Sequence, residues 1–349
     1  MTNSSAPSRL LVLFGGQSAE HDVSCVTAKH VLDAARRDRY DIVPVGISRD
    51  GQWSLAEWTS DLESLDPSGT PVDPFTILRE TAVAGGAVLP LLHGPMGEDG
   101  TLQGLCAMAN VPYAGSGVLG SALAMDKIAA KNALLAAGVP QAAWFGFNVD
   151  EITDATATNL LRELGSPVFV KPANMGSSVG VSRAETVEET KAALDLAASY
   201  DEWIVVEEAI TGREIEISVL GNRSPRTSLP GEIVAGADFY TYEDKYHDGV
   251  AKLVIPAPLD DAEIAEMQSI AVDAYRALRV EGLARADFFY EPAGRGWLVN
   301  ELNTMPGFTP ISMYPKMWQA SGLEYPDLID ELVELAYERD SRRKRNTTR

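Results

Sequence analysis

The stretch VNELNTMPG, residues 299–307, ends an apolar run in an acid and an amide, Glu301 and Asn303. Residues at positions i and i+2 of a strand point to the same face, so we expect these two side chains to project side by side. Mg²⁺ prefers oxygen ligands and usually takes only one or two carboxylates from a protein, with phosphate and water completing its shell. The pair is therefore a candidate for part of a magnesium site. Solvated polar residues at a strand end are the simpler alternative.

A second stretch, LARADFFYE, places Arg285 and Asp287 at the same spacing. We predict that it pairs with GWLVNEL, so that the guanidinium and a further acid share the face of Glu301 and Asn303. An ion pair buried in the sheet is the alternative for Arg285 and Asp287. Three acid or amide groups beside an arginine are costly to bury unless a ligand satisfies them, which favours a site.

The stretch FVKPANMGSSVGVS, residues 169–182, places a glycine and serine loop between two apolar strands, with Lys171 at its entrance. Such a loop can direct backbone N–H groups and hydroxyls at a phosphate, while the lysine adds charge. It is not a Walker A loop, because GxxxxGK[ST] occurs nowhere in the chain and a strand follows the loop. A phosphate cradle and a plain hairpin turn both remain open on this segment alone.

Two more glycine-rich loops follow strands near the amino terminus. LFGGQSAEHDVS places Glu20 at the start of the first helix, and HGPMGEDGTLQG begins with His93. Open α/β sheets bind ligands at the carboxyl ends of their strands, where both loops are expected. Glu20 also suits a first helical turn, and His93 also suits a structural histidine, so neither residue identifies a site by itself.

Composition limits the function. The 349 residues include 29 Lys and Arg against 50 Asp and Glu, a formal net charge of −21, which argues against broad attraction to nucleic acid or an anionic membrane. Any phosphate must then be met by locally placed cations. Cys25 and Cys106 are predicted to be buried reduced thiols. MTNSSAPS lacks the apolar segment of a signal peptide and no apolar run has transmembrane length, so we predict a cytoplasmic protein.

The elements divide the chain into three predicted regions. Residues 1–120 alternate strands and helices, which predicts a parallel sheet covered by helices. Residues 121–212 begin with one small-residue helix, closed by Gly138 and Pro140, and continue as an α+β unit. Residues 213–349 carry longer strands, the aromatic loop AGADFYTYEDKYHDGVAKL and a helix near 260–279. That loop is predicted to be a lid, with a solvated loop as the alternative. The basic tail SRRKRNTTR is interpreted as a solvated end.

Seven motifs occur in the order found in D-alanine:D-alanine ligases of the ATP-grasp superfamily, which the chain resembles from about residue 10 to 335. They are GGQSAEHDVS, HGPMGEDGTLQG, MDK at 125–127, KPANMGSSVG, EDKY at 243–246, ARADF and NELNTMPGFTPISMYP. The resemblance implies an ATP-grasp fold of mixed α/β and α+β class. Its parts would be an amino-terminal Rossmann-like parallel-sheet domain, a small central α+β domain and a larger carboxyl-terminal α+β domain.

The resemblance also implies which residues bind ATP and metal. Two lysines would bind the ATP phosphates beneath the 176–180 loop, and the edge segment 207–210 would bind adenine. Glu214 would accept hydrogen bonds from the ribose hydroxyls. The implied ATP-binding set is Lys127, Lys171, Ser177, Ser178, Glu207, Glu208, Ala209, Ile210, Glu214 and Lys245. Two Mg²⁺ or Mn²⁺ ions would be held by Asp287, Glu301 and Asn303. Whether a monovalent cation also activates the enzyme is left open.

Two D-alanine sites are implied as well. Glu20 would bind the ammonium of the first D-alanine near His93, and Arg285 with the Gly307 backbone would stabilise an oxyanion. Ser312 and the Met313 backbone N–H would bind the second carboxylate. Tyr246, on the lid with Lys245, would dock through Ser177 toward Glu20. The implied catalytic set is Glu20, Ser177, Tyr246 and Arg285.

The implied reaction is ATP-dependent ligation of two D-alanines through a D-alanyl acyl phosphate, for peptidoglycan precursor synthesis, by a homodimer joined through the amino-terminal domain. The KY pair at 245–246 favours a dipeptide over the ester D-alanyl-D-lactate. A ligase for a different amino or hydroxy acid is one rival interpretation. A nucleotide-binding regulatory protein without activity is another, and the intact set of Arg285, Asp287, Glu301 and Asn303 argues against it.

Overall fold

The structure, a computed structural model, describes residues 7–234 and 252–343. The strands in these ranges form three sheets of five, four and six strands. The predicted lid residues Lys245 and Tyr246 lie outside the described residues. None of the helices within the described ranges has the length and apolar character needed to cross a membrane.

The first sheet has the order β4-β3-β2-β1-β5, with β1 parallel to β2 and β5. Its strands are β1 (Ser8–Gly15), β2 (Tyr40–Ile47), β3 (Trp53–Ala56), β4 (Gly69–Pro71) and β5 (Ala87–Pro90). Its helices are α1 (His21–Ala34), α2 (Pro74–Val83) and α3 (Thr101–Ala109). Cys25 on α1 and Cys106 on α3 are buried free thiols, which confirms that prediction.

One edge of this sheet differs from the predicted parallel arrangement. Strand β3 runs antiparallel to β2, and β4 runs antiparallel to β3. Because β2 ends at Ile47 and β3 begins at Trp53, the connection is too short for the crossover that a parallel pair needs. The parallel core is therefore confirmed for β1, β2 and β5, and the prediction is wrong for the β3–β4 edge.

The small-residue helix that was predicted to end at Gly138 is two helices, α4 (Val118–Met125) and α5 (Lys127–Ala136). Asp126 between them has an extended backbone, and its side chain accepts a hydrogen bond from the backbone N–H of Ala129. This is N-cap geometry, which begins a new helix in a new direction. The prediction of one helix was wrong because the Asp126 cap interrupts a run of good helix formers, and the break places Lys127 at the first position of α5.

The second sheet is antiparallel, in the order β6-β9-β7-β8. Its strands are β6 (Trp144–Asn148), β7 (Val168–Pro172), β8 (Ser182–Ala184) and β9 (Trp203–Glu208). Helices α6 (Thr156–Leu164) and α7 (Val187–Ala198) cover one face through Leu160, Ala193 and Leu194. A capping box between Thr186 and Glu189 starts α7.

The third sheet has the order β13-β12-β10-β14-β15, with β11 paired to β10. Its strands are β10 (Arg213–Gly221), β11 (Arg226–Thr227), β12 (Gly231–Val234), β13 (Lys252–Val254), β14 (Gly282–Glu291) and β15 (Gly296–Asn303). The remaining helices are α8 (Asp261–Ala277), α9 (Met313–Ala320) and α10 (Tyr325–Arg342). Helix α8 matches the predicted helix and packs Met267, Ala271 and Tyr275 into the core under this sheet.

The last helix returns to the first sheet. Leu328, Leu332 and Ala336 of α10 share a core with Leu10 of β1 and Leu32 of α1. The amino-terminal sheet is thus covered by a helix from the far end of the chain. The domain boundaries predicted after residues 120 and 212 stay a prediction.

The Arg339 side chain connects α10 to the amino-terminal region, and replacing this residue should destabilise the whole fold. The side chain is 5% exposed, donates to the carbonyls of Tyr113, at 2.7 Å, and Gly115, and lies 3.9 Å over the Tyr113 ring. Arg339→Met leaves two buried carbonyls without these donors, so we expect the free energy of unfolding to fall by about 2–4 kcal/mol. Arg276→Met, at an exposed position of α8, is the control and should change it by less than about 0.5 kcal/mol. Equal urea-unfolding midpoints for the two variants would contradict the assignment.

Candidate active site

One cleft is lined by residues of the second and third sheets and of the segments that follow β1 and β5, and it contains every predicted site residue that the structure describes. These residues are Glu20, His93, Lys127, Lys171, Ser177, Ser178, Glu207, Glu208, Ala209, Ile210, Glu214, Arg285, Asp287, Glu301, Asn303, Gly307, Ser312 and Met313. The structure therefore brings the predicted residues together. Their individual roles stay predictions.

Strands β14 and β15 pair as predicted, and their register builds the charged wall of the cleft. Arg285 lies opposite Asn303 and Asp287 lies opposite Glu301. The register shifts by one residue after these pairs, which is a β-bulge at Asn300. The charged residues of both strands face the cleft, and the bulge keeps Val299, which precedes it in β15, in the core opposite Phe288.

Arg285 is held by two carboxylates. Its Nε and Nη2 each donate to Asp287, both at 2.7 Å, and its Nε lies 3.1 Å from Glu216 Oε2. Burial alone would lower the pKa of Arg285, but Asp287 and Glu216 outweigh it and raise the pKa well above its usual value. The ion pair that was the alternative for Arg285 and Asp287 is present, and it lies at the cleft wall where a ligand can reach it.

The donor atoms on this wall suit a hard cation. Asp287 and Glu301 supply carboxylate oxygens, and Asn303, whose Nδ2 donates to Asp287 at 2.9 Å, retains its amide oxygen. One or two carboxylates plus an amide is the protein share that Mg²⁺ usually takes. The described residues contain no group of three or more His, Cys, Asp or Glu side chains placed to hold a metal, so phosphate and water would have to complete the shell.

Two lysines face this wall from the second part of the chain. Lys127, at the start of α5, donates to the Met175 carbonyl at 2.6 Å, and Lys171, on β7, donates to Glu207 at 3.0 Å. Burial lowers the pKa of Lys127. Burial acts on Lys171 in the same direction, but Glu207 and Glu301 outweigh it and raise its pKa.

The glycine and serine loop between β7 and β8 has the backbone of a specialised turn. Ser177 and Ser178 have φ values of +50° and +58°, in the left-handed region that non-glycine residues seldom adopt. The loop is anchored where it leaves β7, because Asn174 donates from its backbone N–H to Asp201 at 2.7 Å. Two adjacent left-handed serines favour the phosphate cradle over the plain hairpin, since such turns direct backbone N–H groups outward.

The segment predicted to hold adenine lies at the end of β9, with Ala209 and Ile210 on the cleft. The description of it as an edge segment was wrong, because β9 lies between β6 and β7. Glu208 is held by the Ala143 backbone N–H and by Arg295, both at 2.6 Å. Its side chain therefore fixes the segment in place.

Glu20 and His93 lie at the carboxyl ends of β1 and β5, as predicted. Glu20 precedes α1, and a methyl group placed on Gly94 or Gly176 would lie 3.3 or 3.4 Å from its Oε2. The serine loop thus approaches the start of the first helix. His93 is 4% exposed, and its Nδ1 is 2.9 Å from the Met305 carbonyl, which orients the ring toward the cleft residues.

At the opposite wall, Ser312 precedes α9 and Met313 is its first residue. The Ser312 hydroxyl lies 2.8 Å from the Thr309 hydroxyl, and a methyl group placed on Gly307 would approach it to 3.2 Å. A helix N-terminus with an adjacent hydroxyl is suited to a carboxylate. Any side chain at Gly307 would crowd this position.

Sequence reasoning missed three charged residues of the site. Glu216 could have been found, because the alternation in EIEIS places it two residues from Glu214 on the same face. Lys131 follows Lys127 by one helical turn, and Glu98 lies within the motif HGPMGEDGTLQG, but no sequence pattern indicates that Lys131 is buried and Glu98 half-buried. Burial and the nearby Glu20 raise the pKa of Glu98 to about 8, and the Gly94 N–H donates to it at 2.6 Å.

The cleft combines two lysines beside a serine loop with an oxygen-rich wall, and this combination is that of a nucleotide-dependent enzyme. Comparisons with solved structures identify the fold. A D-Ala:D-Ser ligase from Enterococcus faecalis superposes with a TM-score of 0.81 at 32% identity, covering 95% of this chain and 99% of that one. The D-alanine-D-alanine ligase from Coxiella burnetii gives a TM-score of 0.79 at 36% identity, covering 95% and 96%. The fold is the ATP-grasp fold.

The sequence comparisons give the family. Models described as the D-ala D-ala ligase N-terminus and C-terminus match residues 9–116 and 134–334. The D-alanine--D-alanine ligase of Bacillus licheniformis is 46% identical over 349 residues, covering 95% of this chain and 96% of that protein. The chain belongs to the D-alanine:D-alanine ligase family.

The raised pKa of Glu98 predicts a pH-dependent stability. Between its ordinary value of 4.5 and about 8, the folded chain holds a proton on Glu98 that the unfolded chain releases. Stability from this group must therefore fall as pH rises through that window, by up to about 1.4 kcal/mol per pH unit. Urea unfolding at pH 5.5 and 7.5 should show that Glu98→Gln loses less stability than the parent chain over this interval.

The control for this experiment is Glu80→Gln, which changes an exposed glutamate on α2. It should follow the parent chain at both pH values. If Glu98→Gln also followed the parent chain, the Glu98 carboxyl would not hold its proton in this range.

Proposed function

We propose that this chain joins two D-alanine molecules into D-alanyl-D-alanine at the expense of ATP, for cell wall synthesis. The observation that carries the proposal is the meeting of three groups in one cleft. A carboxylate at the start of α1 can bind an ammonium, two lysines can bind phosphates, and Arg285 can stabilise an oxyanion. ATP is the energy source because a carboxylate is a poor electrophile until it is phosphorylated.

ATP would lie between the second and third sheets. Lys127, Lys171 and the Ser177–Ser178 turn would bind its phosphates, and Ala209 and Ile210 would contact adenine. Glu214 would accept from the ribose hydroxyls. The positive φ values of the two serines support this arrangement, because they shape the loop before any ligand binds.

Mg²⁺ or Mn²⁺ would be held by Asp287, Glu301 and Asn303, whose oxygens share the face set by the β14–β15 register. When bound, these ions would neutralise charge on the phosphate oxygens as the terminal phosphoryl group is transferred. Before they bind, Arg285 holds the Asp287 carboxylate in place.

The reaction would proceed in two steps. An oxygen of the first D-alanine carboxylate, whose ammonium is held by Glu20 near His93, forms a bond to the terminal phosphorus while the bond to the ADP oxygen breaks. The second D-alanine loses a proton from its ammonium to become an amine, which attacks the acyl carbon. The acyl carbon–oxygen bond to phosphate then breaks, and inorganic phosphate leaves with the further proton of the amine. Arg285 and the Gly307 backbone would stabilise the tetrahedral oxyanion between these events.

The second D-alanine would be oriented by its carboxylate. The Ser312 hydroxyl and the Met313 backbone N–H at the start of α9 are placed to receive it. Water must be kept from the acyl phosphate, and Lys245 and Tyr246 of the predicted lid are proposed for this closure. The homodimer and the cytoplasmic location stay predictions.

Phosphate release tests the proposal directly. With ATP and Mg²⁺, D-alanine should drive phosphate release and yield its dipeptide, while L-alanine should not. Adding D-serine or D-lactate to D-alanine separates the rival ligases, since a mixed product identified by mass would reassign the acceptor. Nucleotide binding without turnover by any D-amino acid would favour the regulatory protein instead.

Glu301→Gln tests the metal assignment. Loss of the carboxylate should lower turnover by at least about a hundredfold, because the metal's stabilisation of the phosphoryl transfer amounts to several kcal/mol. Phosphate release over a Mg²⁺ titration, with EDTA as the zero point, measures the effect. Glu266→Gln, at an exposed position of α8, is the control and should behave as the parent chain. Unchanged turnover and Mg²⁺ dependence in Glu301→Gln would remove Glu301 from the metal site.

A further inference from the structure

Lys131 is a buried lysine that the proposed chemistry does not use. It lies on α5, one turn after Lys127, and is 2% exposed. Lysine is almost never buried to this degree unless it is paired. Its ammonium lies 3.1 Å from Oε1 of Glu207, and its backbone carbonyl accepts from Gln141 at 2.9 Å. Both ends of the residue are thus fixed.

Glu207 joins Lys131 to the lysine of the cleft. Its Oε1 faces Lys131, and its Oε2 accepts from Lys171 at 3.0 Å. Burial would raise the pKa of Glu207, but Lys131 and Lys171 outweigh it and lower the pKa to about 2. The group is therefore a carboxylate shared by two ammonium groups, one oxygen for each.

The charge of this cluster depends on Lys131. Two lysines and one carboxylate leave a net charge of one positive unit, and of the two lysines it is Lys171 that lines the cleft. If Lys131 were neutral, Glu207 and Lys171 would form a neutral pair. A phosphate would then approach a lysine whose charge is already balanced by Glu207. Because the site is poorly solvated, this loss of net charge would strongly weaken the electrostatic attraction.

We propose that Lys131 is a positioning residue for the nucleotide phosphates, which neutralises Glu207 and so leaves the charge of Lys171 available to them. Lys131 acts through Glu207 and does not touch the nucleotide. The inference rests on the proposed function, in which Lys171 contacts the phosphates. It predicts that the effect of losing Lys131 disappears when Glu207 also loses its charge.

The test compares Lys131→Met with the double variant Lys131→Met/Glu207→Gln. Calorimetry with Mg²⁺ and without D-alanine measures the binding of ADP and of adenosine, which has no phosphates. Lys131→Met should weaken ADP binding by about tenfold or more, a typical effect of one charged hydrogen bond, and adenosine binding by less than about twofold. The double variant should regain most of the ADP affinity. The Michaelis constant for ATP should follow the same order, with kcat less affected.

The control is Lys191→Met, which removes one positive charge from the exposed face of α7 and should leave ADP binding unchanged. Three outcomes would overturn the inference: normal ADP binding in Lys131→Met, equal weakening of ADP and adenosine, or a double variant as weak as the single one. If Lys131→Met does not fold, the double variant decides by its ADP affinity relative to the parent. If the parent binds ADP but D-alanine drives no phosphate release, the proposed function fails while these comparisons still decide the role of Lys131.

Discussion

The antiparallel register of β14 and β15 is the constraint on which the site depends. It places Arg285 opposite Asn303 and Asp287 opposite Glu301, so that one face carries a cation and three oxygen-bearing groups. A shift of one residue would turn these side chains into the core and bring Leu302 to the cleft. Beyond the bulge at Asn300 the paired residues Phe288 and Val299 are both buried in the core. The pairing of β14 with β15 therefore determines both the charged face of the cleft and the packing of the hydrophobic core.

The cleft holds several charges away from water, and each is paired with a neighbouring charged group. Arg285 lies between Asp287 and Glu216, and Glu207 lies between two lysines. Removing one partner of such a group leaves a buried charge uncompensated, which costs more than the pair contributes. The ion pair that was the alternative to a site for Arg285 and Asp287 therefore lies in the wall of the cleft itself.

The sequence predicted the local elements better than their assembly. The pairing of β14 with β15, the helix α8 and the position of Glu20 all follow from short-range periodicity and turn residues, and all are confirmed. The break at Asp126 was missed because a helix cap competes there with strong helix propensity. Packing decides which of the two prevails. The burial of Glu98 could not be predicted, because it depends on which distant segments cover the residue. A motif identifies a residue, whereas its pKa depends on neighbours from elsewhere in the chain.

Because the overall charge is −21, the proposed phosphate binding requires locally placed cations, and the two lysines of the cleft are balanced to different degrees. Lys127 donates to a carbonyl, which carries no formal charge to balance it, although burial lowers the pKa of Lys127. Lys171 is fixed in direction by Glu207, which would cancel its charge if no third group were present. Orientation of a buried lysine requires an acceptor, and attraction of a phosphate requires net positive charge, so the two demands conflict when only one acid and one lysine are available. A second buried lysine on the far oxygen of the acid meets both demands, because it restores the charge without entering the cleft.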